Sequence, residues 1–285
     1  MDQWPCSCSV HAVTLGSAGR GRRPAGDSGA TMGDRKSTHA VVVGIDGSPA
    51  ARSAAVWAAR EAADRNLPLK LVYVIGPGGD PADPPDPQAA ASSALSQARE
   101  AVQASTGVQA ETESLHGNPL ATLIELSRSA AMVAVGSVGV AHTCHRAGST
   151  AAALAGSARC PVAVIRSPDA PRRGGAIVAE VDASPDNRAV LGWAMAEAKL
   201  RHAPLRVVTC DEQVRRRLDD WAQRHPDLPI DAITAGDAAG YLASCLAEEA
   251  ESVQLFVSGT RDRRSLGWAG GTGGCSVLTV GGTPR

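Results

Sequence analysis

The sequence predicts an α/β protein made of two doubly wound parallel sheets in tandem, the second of them degenerate. Three observations predict it. Short apolar, β-branched runs such as AVVVGI (40–45), VAVG (133–136) and PVAVI (161–165) alternate with longer Ala-rich stretches. Strands apolar on both faces belong to parallel sheets covered by helices on each side, and a βαβ order then requires right-handed crossovers. Finally, the pattern returns after 136 residues: Asp46 matches Asp182, Pro49 matches Pro185, Trp57 matches Trp193, Glu61 matches Glu197, Arg65 matches Arg201 and Pro68 matches Pro204. So many identities in one register indicate an internal duplication.

In order along the chain, residues 1–38 are rich in Gly, Ser and Arg and lack helical or strand periodicity. They are expected to be a disordered or mis-assigned extension, with Met32 as the natural start. They do not resemble a signal peptide, because the arginines follow the short apolar run instead of preceding it. In the first half, 39–167, strands are expected at 40–46, 69–75, 108–115, 131–136 and 161–166. Helices are expected at 49–66, 87–105, 118–129 and 149–158. A Pro- and Gly-rich linker, 168–175, closes it. The second half, 176–285, predicts strands near 176–182, 205–210, 229–234, 253–258 and 276–280, and helices at 185–201, 211–224 and 237–250.

Composition narrows the function. The 285 residues are 44% hydrophobic and 20% charged, enough for a real core, and the net charge of −1 gives no electrostatic reason to expect nucleic acid or an anionic membrane as partner. Aromatic residues make up 3%, too few for base-stacking platforms. No run approaches the ~20 apolar residues of a membrane-spanning helix. The seven cysteines are odd in number and irregular in spacing, with no CxxC pair, which points to a reducing, cytoplasmic setting. No metal site is expected: Cys6, Cys8 and His11 lie in the unstructured extension, and His142, Cys144 and His145 are too close in sequence to converge on one ion.

In doubly wound sheets, ligands sit at the carboxyl ends of the strands, where the strand order reverses. The loop after the fourth strand carries the strongest signal there. Gly136-Ser137-Val138-Gly139 is followed, eight residues on, by Gly148-Ser149-Thr150 opening an Ala-rich helix. Glycines let a backbone approach an anion closely, and a helix N-terminus offers free N–H groups and a favourable dipole. The expected ligand group is phosphate. The competing explanation is an ordinary turn followed by an N-cap serine. After the first strand, Asp46 faces the same crevice, where its carboxylate can accept from ribose hydroxyls or a base amino group. It could instead cap the helix from Pro49, although Ser48 is better placed for that.

VGIDGS at 43–48, LVYV at 71–74, GSVG at 136–139 with GST at 148–150, and CPVAVIR at 160–166 together resemble the universal stress protein family, in the tandem two-domain type found in actinobacteria. The resemblance covers roughly 40–282. It implies a Rossmann-like fold that binds ATP, with or without Mg2+, through a loop written G-x2-G-x9-G-[ST]; the spacer here is eight residues. By this resemblance Asp46 and Val74 contact the nucleoside, Gly44 lets it lie against the first strand, and Gly136, Ser137, Val138, Gly139, Gly148, Ser149 and Thr150 hold the phosphates. It also implies pairing through the last strand, either as a homodimer or between 161–165 and 276–280 across an internal twofold.

In the second half, Ser258 and Arg261 are expected where the first has Gly136 and Gly139, and Glu180 stands where Gly44 does. A carboxylate there opposes a triphosphate, so this half is expected to be structural. No Walker motif and no nucleophile elbow occurs. The expectation is a nucleotide-dependent regulatory protein, not an enzyme, acting on a protein partner that the sequence does not identify. The alternatives are a slow ATPase or nucleotidyl-transfer enzyme, and an interaction protein that has lost its nucleotide.

Overall fold

The computed structural model describes residues 39–77, 86–137, 149–166, 175–181, 187–234, 240–241, 253–259 and 275–281. In the first half these form β1 (Val41–Ile45), α1 (Pro49–Asp64), β2 (Leu69–Ile75), α2 (Pro87–Thr106), β3 (Ala110–His116), α3 (Pro119–Leu126), β4 (Met132–Gly136), α4 (Ser149–Ser157) and β5 (Val162–Ile165). The second half contributes β6 (Ala176–Glu180), α5 (Asn187–Arg201), β7 (Leu205–Val208), α6 (Glu212–Arg224), β8 (Ile230–Ile233), β9 (Val253–Gly259) and β10 (Ser276–Val280).

Local chemistry sets the helix starts. Ser48, Asp86 and Asn118 each accept a hydrogen bond from a first-turn amide, and each is followed by a proline at the first helical position. Asp211 caps α6 in the same way without the proline. Gly107 ends α2 at φ +71, in the left-handed region that favours glycine. β3 starts two residues later than expected, at Ala110, and α3 stops three residues short of 129, at Leu126. Most of the helix expected at 237–250 lies outside the described residues.

The ten strands among the described residues join one sheet in the order β3-β2-β1-β4-β5-β10-β9-β6-β7-β8. Neighbours are parallel except at the centre, where β10 runs antiparallel to β5, with Val277 opposite Val164, Leu278 opposite Ala163 and Thr279 opposite Val162. Outward from that pair, both halves show the same strand order, five-four-one-two-three. The pseudo-twofold runs through Ala163 and Leu278, so the last strands do pair internally. One apolar layer, shared by both halves, lies on the face covered by α1, α2, α5 and α6; it includes Ala163, Ile165, Leu278 and Val280 beside Trp57. The opposite face carries separate clusters, around Leu123 and Leu154 in the first half and around Phe256 in the second.

The sheet register corrects one expectation. Val41 pairs with Met132 and Val43 with Ala134, while Ile177 pairs with Leu255 and Ala179 with Val257. Since Ile177 is the 136-residue counterpart of Val41, Leu255 is equivalent to Met132, and therefore Gly259 to Gly136 and Ser258 to Val135. The expected match of Ser258 to Gly136 is one residue out, and Arg261, expected to match Gly139, lies outside the described residues. Strands buried on both faces are apolar at successive positions, so a slip of one leaves no trace in the pattern that alternation would otherwise supply.

Candidate functional site

The order β2-β1-β4 places the reversal of strand order between β1 and β4, and the carboxyl ends of these strands open onto a cavity of about 230 Å³. Its floor is Gly44, Val72, Val74 and Val135, with Pro119 and Leu123 of α3 along one side. Asp46 stands at its exposed rim, and Thr150 and Ala151, from the first turn of α4, complete it.

Two glycines give the site its shape, for different reasons. A Cβ on Gly44 would lie 3.2 Å from Val135 Cγ1 and 3.3 Å from Leu123 Cδ1, so a side chain there would enter the cavity between its walls. A Cβ on Gly136 would lie 2.7 Å from the carbonyl carbon of Ala50 and 2.8 Å from the amide of Ala51. Gly136 is thus required by the close passage of α1 over β4, whatever the site binds.

The turn between β1 and α1 is held by its own side chains. Asp46 Oδ1 accepts from the Ser48 amide at 2.9 Å, Ser48 Oγ accepts from the Ala51 amide at 3.0 Å, and Arg52 Nη1 donates to the Gly47 carbonyl at 3.0 Å. Gly47 sits at φ +85, which lets the chain leave β1 and enter α1 within three residues. Ser48 is therefore the N-cap, and Asp46 presents its carboxylate at the cavity mouth.

Of the residues expected from sequence, Gly44, Asp46, Val74, Gly136 and Thr150 come together around the cavity, and Ser149 begins the helix beside it. Ser137 departs from the expectation. It is buried, and its amide donates to the Ile165 carbonyl at 2.8 Å, so that N–H belongs to the sheet and not to an anion cradle. Val138, Gly139 and Gly148 lie outside the described residues, as do both candidate metal clusters. Among the described residues, no three His, Cys, Asp or Glu side chains gather as metal ligands.

Sequence reasoning missed Pro119, Leu123 and Val135. Val135 adjoins Gly136, which was singled out, and Tyr73 lies within the 71–74 run. Pro119 and Leu123 come from a helix whose approach to the sheet has no motif. In the second half the corresponding face bears Glu180 for Gly44, Cys210 for Val74 and Ser258 for Val135, by the registers above. Ser258 is fully buried, and its hydroxyl has no hydrogen-bond partner among the described residues. Among the described cysteines, burial pushes the Cys160 thiol up to about 12 and the Cys275 thiol up to about 11, while Cys210 is exposed.

An open, largely parallel sheet with helices on both faces and a cavity at the reversal of strand order defines a Rossmann-like α/β protein. The model of the universal stress protein family matches residues 38–166. Universal stress protein Rv3134c of Mycobacterium tuberculosis is 45% identical over 269 residues, covering 87% of this chain and 98% of that protein. A second protein from the same bacterium, universal stress protein Rv2028c, is 41% identical over 268 residues, covering 85% and 95%. A universal stress protein from Archaeoglobus fulgidus superposes with a TM-score of 0.66 at 14% identity over 86% of this chain and 96% of that one, a likeness of fold. The chain belongs to the universal stress protein family.

Proposed function

We propose that this chain is an ATP-binding regulatory protein whose one nucleotide site is the cavity between β1 and β4 of the first half. The observation that carries this reading is the arrangement of the cavity: an apolar floor open at Gly44, a carboxylate at the rim, and a helix N-terminus on the far side. The base and ribose would lie on Gly44, Val72 and Val74, with Asp46 accepting from the sugar hydroxyls. The phosphates would extend towards Thr150, where the first-turn amides and the dipole of α4 favour negative charge. Gly136 keeps α1 and β4 close enough to form the back of the site. Family membership supports a regulatory role, and the described cavity offers no Lys or His as a general acid or base.

Calorimetric titration of the full chain with ATP tests this. One site per chain is expected. Gly44→Glu, which installs in the first half the residue found at Glu180, should abolish binding while circular dichroism shows the fold intact. Two sites per chain, or unchanged affinity in Gly44→Glu, would overturn the assignment. Mass spectrometry of small molecules released from freshly purified, denatured protein checks the ligand class, with an adenine nucleotide expected near one per chain.

A further inference from the structure

The two halves meet at a second place besides the β5–β10 pair. Glu61, in the last turn of α1, and Arg65, which caps that helix, face Glu197 and Arg201, their 136-residue counterparts on α5. At the end of α1, Arg65 Nε donates to Glu61 at 3.3 Å, and within α5, Arg201 Nε donates to Glu197 at 3.1 Å. Across the halves, Arg65 Nη2 donates to Glu197, and Arg201 Nη2 donates to Glu61. The result is a closed ring of four alternating charges. Each guanidinium also lies on an indole of the opposite half: Arg65 is 4.6 Å from the Trp193 ring centre, and Arg201 is 5.3 Å from that of Trp57.

The ring is asymmetric in its exposure to water. The Glu61 and Glu197 side chains are 2% and 0% exposed, whereas Arg65 and Arg201 keep 17% and 14%. Two carboxylates thus sit together beneath the guanidiniums. The strands below turn Ala163, Ile165, Leu278 and Val280 to this face, none of which carries charge. The charged groups facing Glu61 are Glu197, Arg201 and Arg65. Burial raises the carboxyl of Glu61, the Glu197 carboxylate raises it further, and the two arginines oppose the rise without cancelling it, leaving it at about 7.

We propose that this ring is a proton-responsive joint between the two halves, its two adjacent buried carboxylates taking up one solvent-derived proton. The proton adds to a carboxylate oxygen of Glu61 and no other covalent bond changes. The Arg201–Glu61 bridge across the halves then becomes a hydrogen bond to a neutral acceptor, while the Arg65–Glu197 bridge persists. The main-chain pairing of β5 with β10 does not titrate, so the pH dependence of the joint resides in the ring.

The sign follows from linkage. A carboxyl raised from 4.5 to about 7 in the folded state holds a proton that the unfolded chain has released. Its contribution to stability is therefore full below about 4.5 and lost as the pH rises through about 7. The test is urea unfolding of the full chain across that window, wild type against Glu61→Gln, which supplies the neutral acceptor permanently. The ratio of the two unfolding constants should change by roughly tenfold per pH unit inside the window and level off above it. Titrating groups remote from Glu61 are common to both proteins and cancel in the ratio, while Glu197, which faces Glu61, belongs to the ring whose pH dependence the ratio reports. A ratio independent of pH would overturn the proposal. Should Glu61→Gln fail to fold, carbon-13 NMR of the glutamate carboxyls in the wild-type chain decides: one resonance titrating near neutrality supports the joint, and all titrating below about 5 refutes it.

Discussion

At the scale of single residues, the site is defined as much by what is missing as by what is present. Gly136 lacks a Cβ because α1 passes 2.7 Å from where one would stand. Gly136→Ala should therefore lower stability by about 1–3 kcal/mol, the usual cost of overpacking, with or without nucleotide, as chemical denaturation will show. Asp46→Ala acts differently. It removes an exposed carboxylate that accepts from the Ser48 amide, and should weaken ATP binding by about 1–3 kcal/mol in a calorimetric titration. The cysteines separate by the same logic of environment. Half-buried Cys160 and buried Cys275, pushed up to about 12 and about 11, should react with iodoacetamide at neutral pH more slowly than exposed Cys210. Peptide mapping by mass spectrometry reads all three.

At the scale of elements, α1 is the piece that joins the two features of interest. Its first turn lies against Gly136 and borders the cavity, and its last turn and cap carry Glu61 and Arg65 to the second half. The cap that starts it is Ser48, whose Oγ is 3.0 Å from the Ala51 amide. Ser48→Ala should cost about 1 kcal/mol in thermal or urea unfolding, the typical loss of an N-cap. Because Ala51 also lines the cavity, the same variant should lower ATP affinity, whereas a comparable cap removal at Asp211 on α6 should lower stability alone.

At the scale of the whole molecule, the ten described strands form one sheet because β5 and β10 complete each other's edge. The ring of Glu61, Arg65, Glu197 and Arg201 adds a buried ionic contact to that seam. Removing one member, as in Arg65→Ala, leaves Glu197 buried without its cross-half bridge and should cost about 3–5 kcal/mol in chemical denaturation. The pair Arg128–Glu125, with side chains 61% and 71% exposed, provides the contrast: Arg128→Ala should change stability by less than about 1 kcal/mol.

The sequence by itself determined the alternation of strands and helices, the recurrence of residues at a spacing of 136 and the strand ends at which the cavity opens. These are written locally, in apolar runs, in proline-marked helix starts at Pro49, Pro87 and Pro119, and in glycines at strand ends. Trp57, Glu61 and Arg65 were visible as repeated residues, but their charges and indoles meet their counterparts only after the sheet has brought α1 and α5 together. The tertiary structure also decided the equivalence of Gly259 with Gly136, because neighbouring strands carry a register that an unbroken apolar run does not encode. It decided that the Ser137 amide serves Ile165 and that Pro119 and Leu123 wall the cavity. Strand and helix propensities act over a few residues, whereas hydrogen-bond partners, buried charge pairs and cavity walls come from segments far apart in the chain, whose meeting is fixed by packing.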